Sequence, residues 1–460
     1  MSAPDGVLPT PAIRDPRSTG LFIFGQLDPA LTLTEVQGWL QLITGYLRSL
    51  KDPRSEQFDA AFGFGATFFT AGGAARFGMP TAPPAGFTAP VTLPAQFPFT
   101  PDFVIYAMSP EEENLVQLVR WMTVCLPTPV VQLHVERGFQ RANKRENFGF
   151  LDGLRNPGLG NRAEVAQIGL DQTGDEPAWV QGGAYLTYMK ISQAIGQTTV
   201  SDDDAMEQVM GRRKSDGSRL DLQPGIAAMD EPDFTNANLP SVAAHIRKAG
   251  PRGDEQGTTI GMFRRGLPYM HIADNGSVDF GLHFASFGDP DEFNTILTRW
   301  MSNPTFPTTG AGQDTLLAST PALITFELAA IFIVPPFDPR YIGAQIFDRE
   351  PTPTLPALGR VVVKKRVADA SGNPLPQLSL RGAVFQVLQN ANPVGAPFTT
   401  DAAGHAVSGD LSTNVAYVLH EVTPLPGANA AADQPFTLAK ERQVLTVVNT
   451  FGQTPSGYNT

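Results

Sequence analysis

Short apolar runs with strand-like spacing alternate along this chain with longer segments whose apolar residues recur at helical spacing. Thr32 is followed three residues later by Glu35, the spacing of a capping box, which predicts a helix from Thr32 to Leu50. A stretch rich in Pro, Gly, Ala and Phe over 63–100 is predicted to be irregular. The other elements predicted for this part of the chain are strands at 21–24, 103–108 and 130–135 and a helix at 110–126.

The same order of elements partly recurs further along the chain. The later predictions are strands at 184–191, 279–287 and 323–334 and helices at 202–210 and 291–301. Strand–helix–strand pieces joined in this way are typical of ferredoxin-like units. The predicted fold class is α+β, with two ferredoxin-like halves whose antiparallel sheets enclose a flat ligand.

A change in composition marks a domain boundary at 348–359, where three prolines fall within a few residues. Four short strands separated by turn residues follow, and they predict an all-β sandwich at 360–451. The main domain is therefore placed at 21–347 and the linker at 348–359. Residues 1–20 are predicted to be a flexible arm and 452–460 a tail.

Charge and cysteine content exclude several classes of function. The net charge is -12, which argues against nucleic acid and anionic membranes as partners. The chain has one cysteine, so it holds no internal disulfide and no multi-cysteine metal site. No leader peptide or long apolar run is evident, so we expect no membrane insertion and a cytoplasmic location, with an extracellular one left open.

Five motifs in a fixed order carry the strongest functional signal. They are NFGFLDGLRNP at 147–157, MEQVMGRRKSDG at 206–217, AHIRKAGPR at 244–252, FRRGLPY at 263–269 and GLHF at 281–284. A GxxDG turn alone arises often in a chain with 44 glycines. The ordered set, however, resembles the dye-decolourising peroxidase family over roughly residues 18–340.

This resemblance implies a heme b enzyme that reduces hydrogen peroxide while oxidising organic compounds such as dyes or phenolic, lignin-like molecules. His245 matches the family's iron ligand. Asp152 matches the acid–base that moves a proton between the peroxide oxygens, and Arg264 the cation that stabilises charge as the O–O bond breaks. A heme-handling protein of the deferrochelatase type and a heme-binding protein without turnover remain alternatives.

The neighbouring residues of these motifs are assigned in the same way. Arg264 is preferred over Arg265 because the first arginine of the pair lies in the family's pocket. Leu282 and Phe284 match the apolar residues above the heme, and strand alternation sends His283 to the opposite face.

Two further residues complete the predicted heme site. Arg247 is predicted to contact a heme propionate. Asp314 is predicted to accept the second N–H of the iron-binding histidine, with Asp289 and Asp291 as alternatives that would instead cap a helix.

The C-terminal segment resembles a prealbumin-like, collagen-adhesin B-type (SpaA-like) module. The matching pieces are VVVKK at 361–365, GNPL at 372–375, AVF at 383–385, TDAAG at 400–404, YVLHE at 417–421 and VVN at 447–449. Strand alternation places Lys365 toward the core, together with Val361 and Val363.

In such modules a lysine can form an amide bond with an asparagine beside a buried acid. The matching residues are Lys365, Asn449 and Glu421, and an ordinary surface lysine is the alternative. Rigidity, an interaction surface or homo-oligomer contacts are the roles left open for the module.

Overall fold

The computed structural model describes the parts of the chain on which all statements below rest. They are residues 17–50, 58–79, 84–88, 97–125, 129–154, 156–157, 162–168, 176–197, 200, 202–225, 239–250, 262–348, 358–370, 380–401, 404–412, 415–438 and 442–451. Most of the predicted arm and linker and the whole of the predicted tail lie outside these residues.

The chain divides into two compact units. The first contains the described residues from 17 to 348, and the second contains those from 358 to 451. Each unit is described by itself below.

The first unit combines one large antiparallel sheet with short helices. Its strands are β1 Thr19–Leu27, β2 Asp59–Gly65, β3 Thr70–Ala71, β4 Ala74–Ala75, β5 Phe103–Ser109, β6 Val130–Phe139, β7 Ala184–Gln193, β8 Phe263–Arg264, β9 Leu267–Ile272, β10 Val278–Phe287 and β11 Ile324–Val334. Its α-helices are Leu33–Leu50, Ala66–Phe69, Glu112–Arg120, Arg162–Ala166, Asp203–Met210, His245–Lys248, Pro290–Asn294 and Thr315–Ala318. Three short 3-10 helices lie at Ala85–Thr88, Ala178–Val180 and Ala344–Phe347.

Strand order gives the large sheet an internal repeat. The order is β6-β1-β5-β2-β11-β7-β10-β8, and β9 also pairs with β10. The first half contains four strands, which in chain order are β1, β2, β5 and β6. In the sheet, the fourth of these strands lies beside the first, the first beside the third, and the third beside the second. The strands β11, β7, β10 and β9 repeat this order in the second half. The halves meet where β11 pairs with β2, with Phe332 opposite Gly65, and the architecture is α+β as predicted.

The long helix and its start confirm the sequence prediction. The backbone N–H of Thr32 donates to the Glu35 carboxylate at 2.8 Å, and the Glu35 N–H approaches the Thr32 hydroxyl at 3.4 Å. The backbone N–H and the hydroxyl of Thr32 both donate to the Glu35 carboxylate, and these two hydrogen bonds hold the pKa of Glu35 below its usual value. Behind this cap, Trp39 and Leu40 are among the buried residues that form the apolar face of Leu33–Leu50.

The prediction that 63–100 is irregular was wrong at its start. Strand β2, with sequence DAAFGFG, is buried at every position and pairs with β5. A Cβ atom on Gly65 would lie 2.3 Å from the carbonyl oxygen of Pro101, so only glycine fits this backbone contact. Glycine and alanine have low strand propensity, and tertiary contacts rather than local preference form this strand.

Two predicted helices are found with a change of geometry near their C-terminal ends. Glu112–Arg120 continues as a π-helix over Trp121–Cys125, and Pro290–Asn294 continues as a π-helix over Thr295–Met301. The predicted arm and linker are each slightly too long, because β1 begins at Thr19 and β12 at Leu358.

The second unit consists of strands around a separate apolar core. They are β12 Leu358–Ala368, β13 Val384–Gln389, β14 Asn392–Thr399, β15 His405–Val407, β16 Leu411–Ser412, β17 Ala416–Thr423, β18 Gln434–Thr437 and β19 Arg442–Thr450. One sheet has the order β15-β12-β16 with β19 parallel to β12, and the other has the order β14-β13-β17-β18. Across the described residues of both units, no helix has the length and apolar character needed to cross a membrane.

Candidate active site

The loop that presents Asp152 is organised by a buried carboxylate. Glu146 accepts the backbone N–H groups of Phe148 at 2.8 Å and Phe150 at 2.9 Å. Gln193 donates to the same carboxylate at 2.7 Å, and burial raises the pKa of Glu146. The backbone N–H of Asp152 then bonds to the Lys144 carbonyl at 2.9 Å, which fixes where the Asp152 side chain begins.

The Asp152 carboxylate is only partly satisfied by the protein. One oxygen accepts the N–H of Gly153 at 2.6 Å. The other oxygen lies over Gly266, where an added Cβ would be 2.6 Å from Asp152 Oδ2 and 3.2 Å from Leu282 Cδ1. Among the described residues, Oδ2 has no hydrogen-bond partner. Gly266 therefore leaves space for this oxygen to act on a ligand.

The two adjacent arginines have different surroundings. Arg264 is partly buried, and its backbone is held on both sides by Asn156, at 2.9 Å and 2.7 Å. Its guanidinium donates no hydrogen bond to any described residue. Burial lowers the pKa of Arg264, and the nearby charge of Asp152 partly opposes this. Arg265 is wholly buried, 5.3 Å over the Tyr106 ring, so the chain offers Arg264 and not Arg265 beside Asp152.

Side chains alternate across β10 as the sequence predicts. Leu282 is next to Gly266, and Phe284 packs against Phe293 with ring centroids 6.0 Å apart. His283 is buried, with Nδ1 3.0 Å from the Tyr188 hydroxyl and Nε2 3.1 Å from the Arg137 carbonyl. Both of its nitrogens are therefore engaged, and burial lowers the pKa of His283 to about 4.

His245 and Asp314 form a hydrogen-bonded pair. The distance from His245 Nδ1 to Asp314 Oδ2 is 2.7 Å, and the other carboxylate oxygen accepts the N–H of Leu316 at 3.0 Å. The Asp314 side chain is fully buried, whereas that of His245 is 28% exposed. Nε2 of His245 has no partner within the described part of the chain. The alternative Asp289 caps a helix by accepting the N–H of Asp291.

Arg247 lies two residues after His245 in the same short helix. Its Nη1 donates to the Pro240 carbonyl at 2.8 Å. Burial lowers its pKa, as does the positive charge of Arg219, while Asp221 opposes both. The contact of Arg247 with a propionate stays a prediction.

One apolar cluster connects these groups. Phe148 and Phe150 precede Asp152, Met262 precedes Arg264, and Leu316 follows Asp314. All four belong to a single buried cluster, against which Phe284 also packs. We refer to Asp152, Arg264 and His245 as the open site, because each has a polar group without a partner among the described residues.

A second cluster of ionisable groups lies in the other unit. Lys365 Nζ is 2.5 Å from Glu421 Oε1, and Asn449 Nδ2 donates to Glu421 Oε2 at 2.6 Å. All three residues are buried, and Asn449 Oδ1 accepts the N–H of Leu425 at 3.3 Å. We refer to Lys365, Glu421 and Asn449 as the closed cluster.

The sequence analysis missed several supporting residues. Asn156 lies within the motif at 147–157 and Glu146 directly precedes it, but nothing in their spacing indicated hydrogen bonds to Arg264 or to the Asp152 loop. Gly266 follows the arginine pair within the FRRGLPY motif, so a glycine adjacent to predicted pocket residues was the available signal.

Comparisons with known proteins agree with this geometry. Residues 143–337 match the family model described as Dyp-type peroxidase, C-terminal. A deferrochelatase from Shigella sonnei (strain Ss046) is 28% identical over 197 residues, 41% of this chain and 44% of the relative. Dye-decolorizing peroxidase msp1 from Mycetinis scorodonius is 25% identical over 255 residues, 41% of this chain and 50% of the relative. The chain thus spans about half the length, or less, of these curated relatives.

Solved structures with a similar backbone show the fold. A DyP-type peroxidase from Streptomyces coelicolor has a TM-score of 0.59 at 20% identity and covers 73% of this chain and 94% of its own. A DypB variant from Rhodococcus jostii RHA1, in complex with heme, has a TM-score of 0.53 at 18% identity and covers 70% and 94%. These likenesses show that 70–73% of the chain has the fold of DyP-type peroxidases. The family model adds sequence similarity over residues 143–337.

Proposed function

We propose that this protein is a heme-dependent peroxidase that reduces hydrogen peroxide while oxidising organic reductants. The observation that supports it is the open site, where a histidine nitrogen, a carboxylate oxygen and a guanidinium have no partner among the described residues. The charge of Asp152 acts on Arg264, and residues close in the chain to Asp152, Arg264 and Asp314 belong to one apolar cluster. All three side chains are partly exposed, so a ligand can reach the atoms that have no partner. An imidazole with one nitrogen held by a carboxylate and the other open could hold the iron of heme b.

Heme b, when bound, supplies an iron that activates peroxide. His245 Nε2 would hold that iron, and Asp314 would keep the proton on Nδ1 and fix the ring orientation. Asp152 Oδ2 would take a proton from one oxygen of hydrogen peroxide and return it to the other. Arg264 stabilises the negative charge that develops as the O–O bond breaks.

The finer features of the fold and pocket belong to the same proposal. The two halves of the large sheet are ferredoxin-like, because each has the strand order of that fold. Leu282 and Phe284 cover the peroxide side of the heme and Arg247 contacts a propionate. The reductants are dyes or phenolic, lignin-like compounds, which deliver single electrons.

The experiment is a heme titration followed by a steady-state assay with hydrogen peroxide and a reducing dye. The wild-type protein is expected to bind heme and to bleach the dye only when peroxide is present. His245→Ala is expected to bind heme much more weakly, while His271→Ala, an exposed histidine of β9, behaves as wild type. Unchanged heme affinity and spectrum in His245→Ala would show that another residue holds the iron.

A second candidate function is heme handling. The relative from Shigella sonnei is named a deferrochelatase, and it matches this chain as well as the peroxidases do. Incubation of the heme-loaded protein with a ferrous-iron chelator distinguishes the two. Appearance of iron-free porphyrin without peroxide supports heme handling, and peroxide-dependent dye bleaching with retained heme supports the peroxidase.

For the second unit, we propose a SpaA-like module with an amide bond between Lys365 and Asn449. The closed cluster supports this, because Glu421 contacts both partners and burial lowers the pKa of Lys365, which favours the neutral amine. Lys365 Nζ gives a proton to Glu421 and attacks Asn449 Cγ. The N–H of Leu425 stabilises charge on Asn449 Oδ1. The Cγ–Nδ2 bond breaks, and ammonia leaves with the proton returned by Glu421.

Intact mass spectrometry tests this bond directly. The expected mass of the heme-free chain is lower than that of the unmodified sequence by one ammonia, about 17 Da. Asn449→Ala is expected to have the full calculated mass of the variant chain. A wild-type mass equal to the unmodified sequence would rule the bond out.

A further inference from the structure

A buried lysine near the iron-binding histidine has no role in the mechanism above. Lys248 has no exposed surface, although lysine is rarely buried completely without a charged partner. It lies three residues after His245 in the same short helix, and residues three apart share one helix face. Lys248 and His245 can therefore act on one neighbouring segment.

That segment is 302–314, which ends at Asp314. Lys248 Nζ donates to the carbonyl of Asn303 at 2.7 Å and to the carbonyl of Phe306, and it lies 5.7 Å from the Phe306 ring centre. At the other end, the backbone N–H of Asp314 bonds to the Met301 carbonyl at 2.8 Å. The helix thus holds the segment twice, through Lys248 near its start and through His245 at Asp314.

Charge gives a second reason for a lysine at this position. Asp314 is fully buried, and its carboxylate contacts the His245 ring and the backbone N–H of Leu316. A buried carboxylate without a compensating cation is costly. Lys248 makes no direct ion pair with Asp314. Burial lowers the pKa of Lys248, and the negative charge of Asp314 partly opposes this through space.

We propose that Lys248 is a positioning residue for the His245–Asp314 pair, which fixes the segment carrying Asp314 and balances its charge. This inference rests on His245 as the heme ligand, but not on peroxide chemistry. With Lys248 present, Asp314 draws the Nδ1 proton less strongly, and the imidazole donates less electron density to the iron. Loss of the ammonium removes a positive charge and strengthens that donation, and both effects favour the oxidised iron.

The test is the reduction potential of the heme-loaded protein, measured without peroxide. Lys248→Met is expected to shift the potential to a more negative value. The matched control is Phe306→Leu, which loosens the same segment and leaves every charge in place, so its potential should shift much less than that of Lys248→Met. Lys248→Gln, which keeps one donor for the segment carbonyls, serves as a second neutral variant and should shift in the same direction as Lys248→Met.

A measurement on the heme-free protein separates this inference from the proposed function. The Nδ1 proton of His245, followed by NMR of histidine-labelled protein, should move downfield in Lys248→Met as its bond to Asp314 strengthens. The proposal is overturned if the neutral variants keep both the wild-type potential and the wild-type resonance. It is also overturned if Phe306→Leu shifts the potential as far as Lys248→Met does. Failure of the protein to react with peroxide would change neither readout.

Discussion

The open site and the closed cluster both place charged groups in apolar surroundings, but they differ in where their hydrogen bonds go. In the closed cluster, Glu421 accepts from both Lys365 and Asn449, and all three side chains find partners within the protein. In the open site, Asp152 Oδ2 has no partner among the described residues. The first arrangement is satisfied within the protein, whereas the second leaves a carboxylate oxygen accessible to a ligand.

This difference separates two ways in which a fold uses buried charge. A carboxylate that contacts both an amine and an amide is arranged for a reaction among its neighbours, after which the cluster is permanent. The Asp152 carboxylate accepts one hydrogen bond from the protein, and its second oxygen, over Gly266, stays available to a substrate. Such a group can transfer a proton in every catalytic cycle. The glycine at 266 therefore matters to the open site as much as the charged residues do.

The largest expected effect comes from removing the free carboxylate of the open site. Asp152→Asn should lower kcat/KM for hydrogen peroxide by about 10²–10⁴-fold, because an amide cannot carry the proton between the peroxide oxygens. Heme binding and thermal stability should stay near those of the wild type. Stopped-flow kinetics on the heme-loaded protein measure this, with Asp274→Asn, on an exposed turn, as control. Full activity in Asp152→Asn would remove the carboxylate from the mechanism.

The adjacent arginines test the same comparison within one dipeptide. Arg264→Gln should lower the rate of peroxide cleavage by about 10²–10³-fold, since its guanidinium stabilises developing charge. Arg265→Gln should instead lower the melting temperature, because Arg265 is wholly buried against Tyr106 and Met108. When both quantities are measured for both variants, Arg264→Gln should mainly lower the rate and Arg265→Gln should mainly lower the melting temperature. The assignment of the pocket arginine is wrong if the two patterns are exchanged.

For the closed cluster, the key substitution is Glu421→Gln. It should stop amide formation, because no group remains to accept the lysine proton, and it leaves a buried amine without its charged partner. The expected cost in the free energy of unfolding of the second unit is about 3–5 kcal/mol. Intact mass and calorimetry measure both outcomes, and Asp433→Asn, which removes an exposed partner of His420, is the control. An ammonia-deficient mass in Glu421→Gln would contradict the role of the acid.

The smallest effect concerns His283, a satisfied group on the opposite face of the strand from Leu282. Its pKa is lowered to about 4 by burial, with Glu136 raising it and Lys190 and His134 lowering it. Between pH 6.5 and 4 the unfolded chain protonates this ring and the folded one does not, so stability falls as pH falls, by about 3 kcal/mol in total. The free energy of unfolding, measured with urea across this pH range, should change less with pH in His283→Asn than in His271→Asn. Equal slopes would show that another group controls this range.

Sequence patterns predicted the regular elements well where local signals exist. The capping box at Thr32 and the alternation through β10 were correct, because caps and strand periodicity are set by a few neighbouring residues. Strand β2 was missed, because its glycines and alanines are selected by contacts with distant residues such as Pro101. Local pattern carries no information on such contacts.

The predictions for the open site also divide into those that local sequence supports and those that depend on distant contacts. Motif order indicated Asp152, Arg264 and His245, and the choice of Asp314 over Asp289 agrees with the geometry of the His245 pair. The roles of Glu146 and Lys248 depend on hydrogen bonds to backbone groups 2–58 residues away, and no spacing rule predicts these. Residues that hold other residues in place are therefore visible only in the structure.

The most direct test of the central claim is an absorption spectrum of the heme-loaded protein mixed with one equivalent of hydrogen peroxide. The account predicts that the Soret band changes within the mixing time and returns when a reducing dye is added, and that Asp152→Asn slows the first change. A Soret band that does not respond to peroxide would contradict the peroxidase and leave heme handling as the function of the open site.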